Sequence, residues 1–207
     1  MREPSSVYLA VEVTMPPLPP EIEQGRDICG EFPAYDPQAG KPPQVLDPAR
    51  QYTAWLVTES GVATVRLFVA LAPETTNSFA YLACSGYYDN TTFHRVLPGF
   101  VAQGGDPTGT GTGGPGYTVN DEYQLSDLSF DREGLLSMAH TDAPNSAGSQ
   151  FFITYGPTPN LNGAFTIFGD VTSGMEAIRT LRPRDPQMNP GAAPGSILFT
   201  VIVREVG

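Results

Sequence analysis

The sequence predicts a mainly β protein: a closed eight-stranded antiparallel β-barrel capped by two α-helices and preceded by a proline-rich N-terminal extension. Three observations support this fold class. After residue 50 the chain contains many short apolar runs of strand length, and only two segments show helical periodicity. Between residues 15 and 49 proline is dense and hydrophobic periodicity is weak. Because 40% of the 207 residues are hydrophobic and 16% are charged, we expect one well-filled core with an appendage.

Residues 1–50 form the predicted extension, and residues 51–207 the folded domain. Proline clusters such as Pro16-Pro17-Leu18-Pro19-Pro20 favour extended or polyproline II backbone over regular ladders. Before them, Val7–Val13 is a candidate strand or an adhesive arm. Two interpretations of the extension stay open. It is either a partly ordered segment packed on the domain or a proline-rich ligand for an SH3-type module.

The first elements of the domain are a hairpin and a helix. Alternating faces predict strands at 52–58 and 62–69, joined by a turn at Glu59-Ser60-Gly61. A helix should begin at Pro73, because proline and the following glutamate suit a first helical turn. Gly86 should end it.

The rest of the domain is predicted to consist of strands with one more helix. The expected strands are 93–97, 99–103, 134–139, 151–154, 165–171 and 196–205. The second helix should run from Ser173 to Leu181. Ser173 would be its N-cap and Glu176 would occupy the third helical position, which is the capping-box pattern.

Charge and hydropathy limit the partners and the compartment. A formal net charge of −11 and a pI near 4.4 argue against nucleic acid and anionic membrane surfaces, which attract basic faces. We expect no membrane insertion, because no apolar run reaches about 18 residues. Met1-Arg2-Glu3-Pro4 lacks the features of a secretory signal. A cytoplasmic location is therefore the default expectation, and an extracytoplasmic one applies if a signal has been removed.

Cysteine and histidine usage gives no metal or cofactor site. Cys29 and Cys84 either pair, if the compartment is oxidising, or remain two unrelated thiols. His94 and His140 are the two histidines, far apart in sequence and without paired cysteines. The loop carboxylates, such as Asp106, are more typical of turns than of metal ligands. We expect neither a metal nor a cofactor.

Two further functions, nucleotide binding by a P-loop and serine hydrolysis, are disfavoured because the motifs they require are missing. The glycine-rich loop 104–116 lacks the Gly-Lys-Ser/Thr ending of a P-loop, and prolines interrupt any helix after it. Its glycines instead allow positive φ and close approach to a ligand backbone. Around Ser149 the sequence lacks a nucleophile elbow, so serine hydrolysis is not expected.

Two motifs indicate a site that holds an apolar group and directs one hydrogen-bond donor at it. In Phe93–Asp106, Arg95 and Gln103 stand among apolar and aromatic residues. In a strand from Gln150, the side chain of Phe152 shares a face with Gln150, and Phe151 faces the opposite side. Phe151 is therefore expected in the core and Phe152 in the site. A proline peptide is a ligand of the required kind.

These segments resemble the signature of the cyclophilin family of peptidyl-prolyl cis-trans isomerases. The resemblance covers about residues 51–207. It rests on several blocks in the family's order: 93–106, 109–114, 136–139, 148–154 and 168–169. The predicted barrel is accordingly expected to be cyclophilin-like.

The resemblance implies roles for ten residues. Arg95 and Gln103 would be catalytic. The substrate would be bound by Phe100, Val101, Ala139, His140, Gln150, Phe152, Leu161 and Phe165.

Four positions depart from common family patterns. Val101 replaces a methionine, His140 stands where asparagine is frequent, and Phe165 stands where eukaryotic members often have histidine. Asn160 replaces the usual tryptophan, which implies weak cyclosporin binding.

The resemblance implies an isomerase of X-Pro bonds in peptides and in unfolded or partly folded proteins. It would act as a monomer without a cofactor. Two alternatives remain at this point. One is a binding module that docks proline peptides without accelerating exchange, and the other is a scaffold that acts through the extension.

Overall fold

The computed structural model describes residues 13–207, and the protein is mainly β with an antiparallel sheet and two helices. The candidate strand Val7–Val13 lies outside the described residues, except for Val13. The strands are β1 (Arg26–Asp27), β2 (Gln51–Thr58), β3 (Gly61–Leu67), β4 (Thr91–Phe93), β5 (Arg95–Leu97), β6 (Val101–Gly104), β7 (Leu135–Met138), β8 (Phe151–Thr154), β9 (Ile167–Ser173) and β10 (Ser196–Val206). The α-helices are α1 (Pro73–Cys84) and α2 (Met175–Arg179), and four short 3₁₀ helices lie at Pro20–Gln24, Cys29–Glu31, Tyr123–Leu125 and Pro159–Leu161.

The strands pair in the order β1-β10-β2-β3-β9-β7-β8-β6-β5, with β4 also on β10. The expected closed barrel of eight strands is not confirmed, because this order is an open path and the described residues form ten strands. Two local features explain the difference. The chain changes partners at His94, so that β4 pairs with β10 whereas β5 pairs with β6. The extension contributes β1 at the edge of the sheet.

The predicted hairpin and first helix are both present. β2 and β3 pair in register from Tyr52↔Leu67 to Thr58↔Gly61. The first turn of α1 is held from a distant loop, where the Glu122 carboxylate accepts hydrogen bonds from the backbone N–H groups of Glu74 (3.0 Å) and Thr75 (2.8 Å). A carboxylate there satisfies two free donors and complements the helix dipole.

The predicted start of the second helix is wrong. Ser173 is the last residue of β9, paired with Thr64, and α2 begins at Met175. Gly174 is the N-cap, with a left-handed φ of 77° and no room for a side chain beside the Val62 carbonyl. The sheet pairing therefore competes with the local capping pattern and prevails.

In its described part the extension packs against α1. A disulfide joins Cys29 to Cys84 at the end of that helix, which resolves the open question of the two cysteines. The Asn77 side chain accepts from the N–H groups of Val45 and Leu46, and Leu46 is buried in the core. Among the described residues, no helix combines the length and the hydropathy that a membrane span requires.

Candidate active site

Two hydrophobic clusters lie on opposite faces of β8. Phe151 is fully buried in the larger one, which includes residues of both helices. Phe152 belongs to the smaller one, with Val101, Phe130, Leu135 and Ile167. The alternation of the strand thus separates the two neighbouring phenylalanines in the way that its period of two requires.

The sheet register sets three polar and aromatic residues side by side. Arg95 of β5 is paired with Gln103 of β6, and Gln103 is paired with Phe152 of β8. Residues directly opposite one another in an antiparallel ladder project to the same face. Three segments that are separate in sequence therefore contribute to one row across the sheet.

A cavity of about 160 Å³ opens on this row. Its lining consists of Arg95, Phe100, Val101, Gln103, Ala139, His140, Phe152, Leu161 and Phe165. The Phe152 ring meets Phe165 edge to face at 5.6 Å between centroids, and it stacks on Phe130 at 5.9 Å. Rigid aromatic contacts of this kind fix the shape of an apolar wall.

Arg95 is the cation of this cavity. Its guanidinium lies 5.9 Å from the centroid of the Phe100 ring. Its Nε is buried and has no hydrogen-bond partner within residues 13–207. A buried donor without a partner is costly, so this N–H is an unsatisfied group of a residue that lines the cavity.

A second cavity of about 600 Å³ adjoins the first, and Gln103, Ala139 and His140 line both. The Gln103 Nε2 donates to Gln150 Oε1 at 2.9 Å, and Gln150 Nε2 donates to the Gly113 carbonyl at 3.0 Å. This chain of amides connects the row on the sheet to the glycine-rich loop. Gln150 itself lines the second cavity and not the first.

The glycine-rich loop folds around one buried carboxylate, Asp106. Oδ1 accepts from the N–H and the hydroxyl of Thr108, and Oδ2 accepts from the N–H groups of Gly111 and Gly113. Burial opposes ionisation of this carboxyl, but the four donors outweigh it and hold the pKa of Asp106 below its ordinary value of 3.8. Its interpretation as a turn residue agrees with this geometry. No group of three or more potential metal ligands occurs in the part of the chain that the structure describes.

The structure brings the ten predicted site residues to these two adjoining cavities. Nine line the smaller one, and Gln150 reaches them through Gln103. Phe130 is a further residue of the wall that the sequence does not predict, and it is buried against Phe152. It lies in a polar stretch where no strand or helix is predicted, so no periodic signal marks it.

Comparisons with known proteins agree with this architecture. A model of the family described as cyclophilin type peptidyl-prolyl cis-trans isomerase/CLD matches residues 54–195. The chain is 47% identical to peptidyl-prolyl cis-trans isomerase B of Bacillus subtilis over 131 residues, covering 63% of this chain and 90% of that protein. It is 46% identical to peptidyl-prolyl cis-trans isomerase-like 1 of Neurospora crassa over 153 residues, covering 72% and 92% of the two chains.

Solved structures give the same result. A cyclophilin type peptidyl-prolyl cis-trans isomerase of Cryptosporidium parvum is similar with a TM-score of 0.68 and 38% identity, covering 76% of this chain and 99% of that one. Its structure in the presence of the dipeptide Ala-Pro gives a TM-score of 0.64, covering 73% and 98%.

Fold and similarity together define an isomerase of peptidyl-prolyl bonds. The chain belongs to the cyclophilin-type peptidyl-prolyl cis-trans isomerase family, which confirms the resemblance of its sequence motifs.

Proposed function

We propose that the smaller cavity receives the proline ring of a substrate and that Arg95 stabilises the twisted imide during isomerisation. The observation that carries this proposal is the row Arg95–Gln103–Phe152 at an apolar cavity of about 160 Å³. It places one cation, with an unsatisfied N–H, directly beside aromatic walls.

The chemistry requires no nucleophile. Rotation about a peptide C–N bond has a barrier of about 18–20 kcal/mol, because resonance gives the bond partial double-bond character. In the twisted state the proline nitrogen regains a lone pair. A fixed guanidinium donor stabilises that state more than either planar isomer, which is the condition for catalysis. About 5 kcal/mol of such preference gives roughly 10³–10⁴-fold acceleration.

The other lining residues have complementary roles in this proposal. Phe100, Val101, Phe152, Leu161 and Phe165 hold the ring and exclude water. Gln103 orients the substrate backbone beside Arg95. Ala139, the backbone of His140, and Gln150 contact the residues before proline, where the second cavity begins. One side of the bond is thereby anchored and the other is free to rotate.

Arg95→Ala tests the proposal. We expect kcat/KM for a blocked peptide with one Ala-Pro bond, measured by NMR exchange, to fall by about 10²–10³-fold, the scale for removing one transition-state donor. Arg95→Lys should recover little of this activity, because an ammonium lacks the planar fork of N–H groups.

Arg66→Ala is the matched control. Arg66 also lies over a phenylalanine ring, Phe68, at 5.4 Å, but it belongs to β3 and pairs with Asp170. The substitution Arg66→Ala should leave kcat/KM for the Ala-Pro peptide unchanged. Full activity in Arg95→Ala would defeat the mechanism. Saturable binding of proline peptides by the wild type without faster exchange would favour a binding module instead.

Several finer properties belong to the same proposal. Residues 51–207 form the isomerase domain, residues 1–50 form its extension, and the protein is a monomer acting on peptides and unfolded or partly folded chains. Cyclosporin binding is weak, because the exposed Asn160, beside Leu161, offers no indole.

A further inference from the structure

The N-terminal extension contacts a wall of the second cavity through Tyr35. The Tyr35 hydroxyl donates a hydrogen bond of 2.8 Å to the carbonyl oxygen of Pro115, which is buried and lines that cavity. Pro37 lies against Gly116, the next residue of the loop, because a Cβ there would stand 2.5 Å from the Pro37 carbonyl oxygen. The family model begins at residue 54. A segment outside the family match therefore supports part of the candidate site.

Tyr35 is itself held firmly on the domain. Its ring meets Tyr87 edge to face at 5.3 Å between centroids and lies 6.1 Å from the ring of Tyr81 in α1. The disulfide between Cys29 and Cys84 fixes the preceding part of the extension to the end of the same helix. Because α1 is packed into the core, Tyr35 offers the loop a rigid support and not a mobile one.

The supported loop is connected to the row on the sheet. The Pro115 ring lies against Gly148, where a Cβ would stand 2.9 Å from Pro115 Cδ. In the same loop, the Gly113 carbonyl accepts from Gln150 Nε2 at 3.0 Å, and Gln150 Oε1 accepts from Gln103 Nε2 at 2.9 Å. A displacement of Pro115 would therefore change the shape of the second cavity and disturb the chain of amides beside it.

We propose that Tyr35 is a positioning residue: its hydroxyl holds Pro115 in place and thereby fixes the wall of the second cavity against which the residues before proline bind. This inference rests on the function proposed for the two cavities. The loop needs such a support, because its many glycines restrict the backbone little. Without the hydrogen bond the wall is less preorganised, so binding of that part of the substrate weakens.

The lining of the second cavity suggests a suitable substrate for the test. It includes Thr112, Thr118, Thr141, Ser146 and the amide of Gln150. Among the described residues that line it, none carries a carboxylate, an ammonium or a guanidinium group. Uncharged side chains that form hydrogen bonds match such a surface. Two serines before the Ala-Pro bond therefore make a suitable probe.

The test compares two blocked peptides, Ala-Pro and Ser-Ser-Ala-Pro, by NMR exchange. The short peptide reaches only the beginning of the second cavity and the longer one enters it, so KM of the wild type should be lower for the longer peptide. Tyr35→Phe keeps the aromatic contacts but removes the hydroxyl. We expect its KM for the longer peptide to rise about three- to tenfold, the scale of one neutral hydrogen bond. Its KM for the short peptide and its kcat for both peptides should stay unchanged.

Tyr155→Phe is the matched control. The Tyr155 hydroxyl also donates to a backbone carbonyl, that of Ile178 in α2, at 2.8 Å, but Tyr155 lines neither cavity. This variant should leave KM for both peptides unchanged, and unfolding in urea compares its loss of stability with that of Tyr35→Phe. An equal rise of KM for the longer peptide in both variants would mean general loosening of the fold and would overturn the proposal.

Amide NMR spectra give a direct readout of the position of the loop. In Tyr35→Phe the amide signals of residues 113–117 should shift, whereas those of 161–165, on the wall of the smaller cavity, should not. An unchanged spectrum at 113–117 would show that the hydroxyl does not position the loop.

The possible failures are distinguishable. Acceleration by the wild type with equal KM values for the two peptides, or an unchanged KM for the longer peptide in Tyr35→Phe, would sink the role of Tyr35 and leave the proposed function intact. Absence of acceleration with either peptide would instead sink the proposed function.

Discussion

Phe151 and Phe152 are neighbours in one strand, yet their surroundings differ in kind. Phe151 is fully buried and meets Phe79, Tyr88 and Phe93 edge to face, with centroids 5.6–6.1 Å apart. Phe152 is also buried, but one side of its ring faces the smaller cavity. One face of β8 therefore stabilises the fold, and the other shapes the site. A substitution at Phe151 should consequently change mainly stability, whereas a substitution at the neighbouring Phe152 should change mainly substrate binding.

The largest expected effect is on stability, in Phe151→Ala. This change removes three edge-to-face contacts and leaves a cavity in the larger cluster. The free energy of unfolding in urea should fall by about 3–5 kcal/mol. The kcat/KM of the molecules that remain folded should stay close to that of the wild type. A loss of activity in excess of the unfolded fraction would contradict the separation of the two faces.

The glycine-rich loop beside the site depends for its stability on the buried carboxylate of Asp106. Its pKa is depressed in the folded protein, so its contribution to stability is present above the ordinary value and is lost as pH falls through the folded value. The free energy of unfolding should therefore decrease below about pH 4. Asp106→Asn should remove the part of this dependence that belongs to Asp106, since Glu74 and Glu205 also have lowered pKa values. It should cost about 2–3 kcal/mol at neutral pH, because an amide cannot accept from all four donors.

Asp36→Asn is the matched control for this prediction. Asp36 also accepts a backbone N–H two residues ahead, from Gln38, but it is exposed. Its substitution should leave stability nearly unchanged. An acid titration of Asp106→Asn that matches the wild type would show that the loop does not depend on this carboxylate.

Most elements from residue 51 onward could be predicted because period-two alternation and glycine or proline boundaries are local signals. The positions of Arg95, Gln103 and Phe152 follow from the same alternation, since each lies on a predicted strand. Their meeting at one cavity depends on strand order, which periodicity does not give, so a shared site for all three was expected from the family resemblance.

What could not be predicted depends on contacts distant in sequence. The change of partners at His94 leaves the alternation intact, so 93–97 looks like one strand. Ser173 satisfies the capping pattern, but its pairing with Thr64 keeps it in the sheet. The pairing of Cys29 with Cys84 requires the extension to reach the end of α1, which no local pattern shows.

The smallest expected effect, and the sharpest test of the comparison, is Phe152→Leu. Leucine keeps the wall apolar but loses the stacking on Phe130 and the edge-to-face contact with Phe165. Such contacts are worth about 0.5–1.5 kcal/mol each, so KM for the Ala-Pro peptide should rise about three- to tenfold. Phe168→Leu is the control, because Phe168 is fully buried in the larger cluster against Phe79. Phe168→Leu should lower the free energy of unfolding at least as much as Phe152→Leu does, but it should leave KM for the Ala-Pro peptide unchanged. If both substitutions raise KM equally, the two faces of the sheet are energetically coupled, and the division between fold and site does not hold.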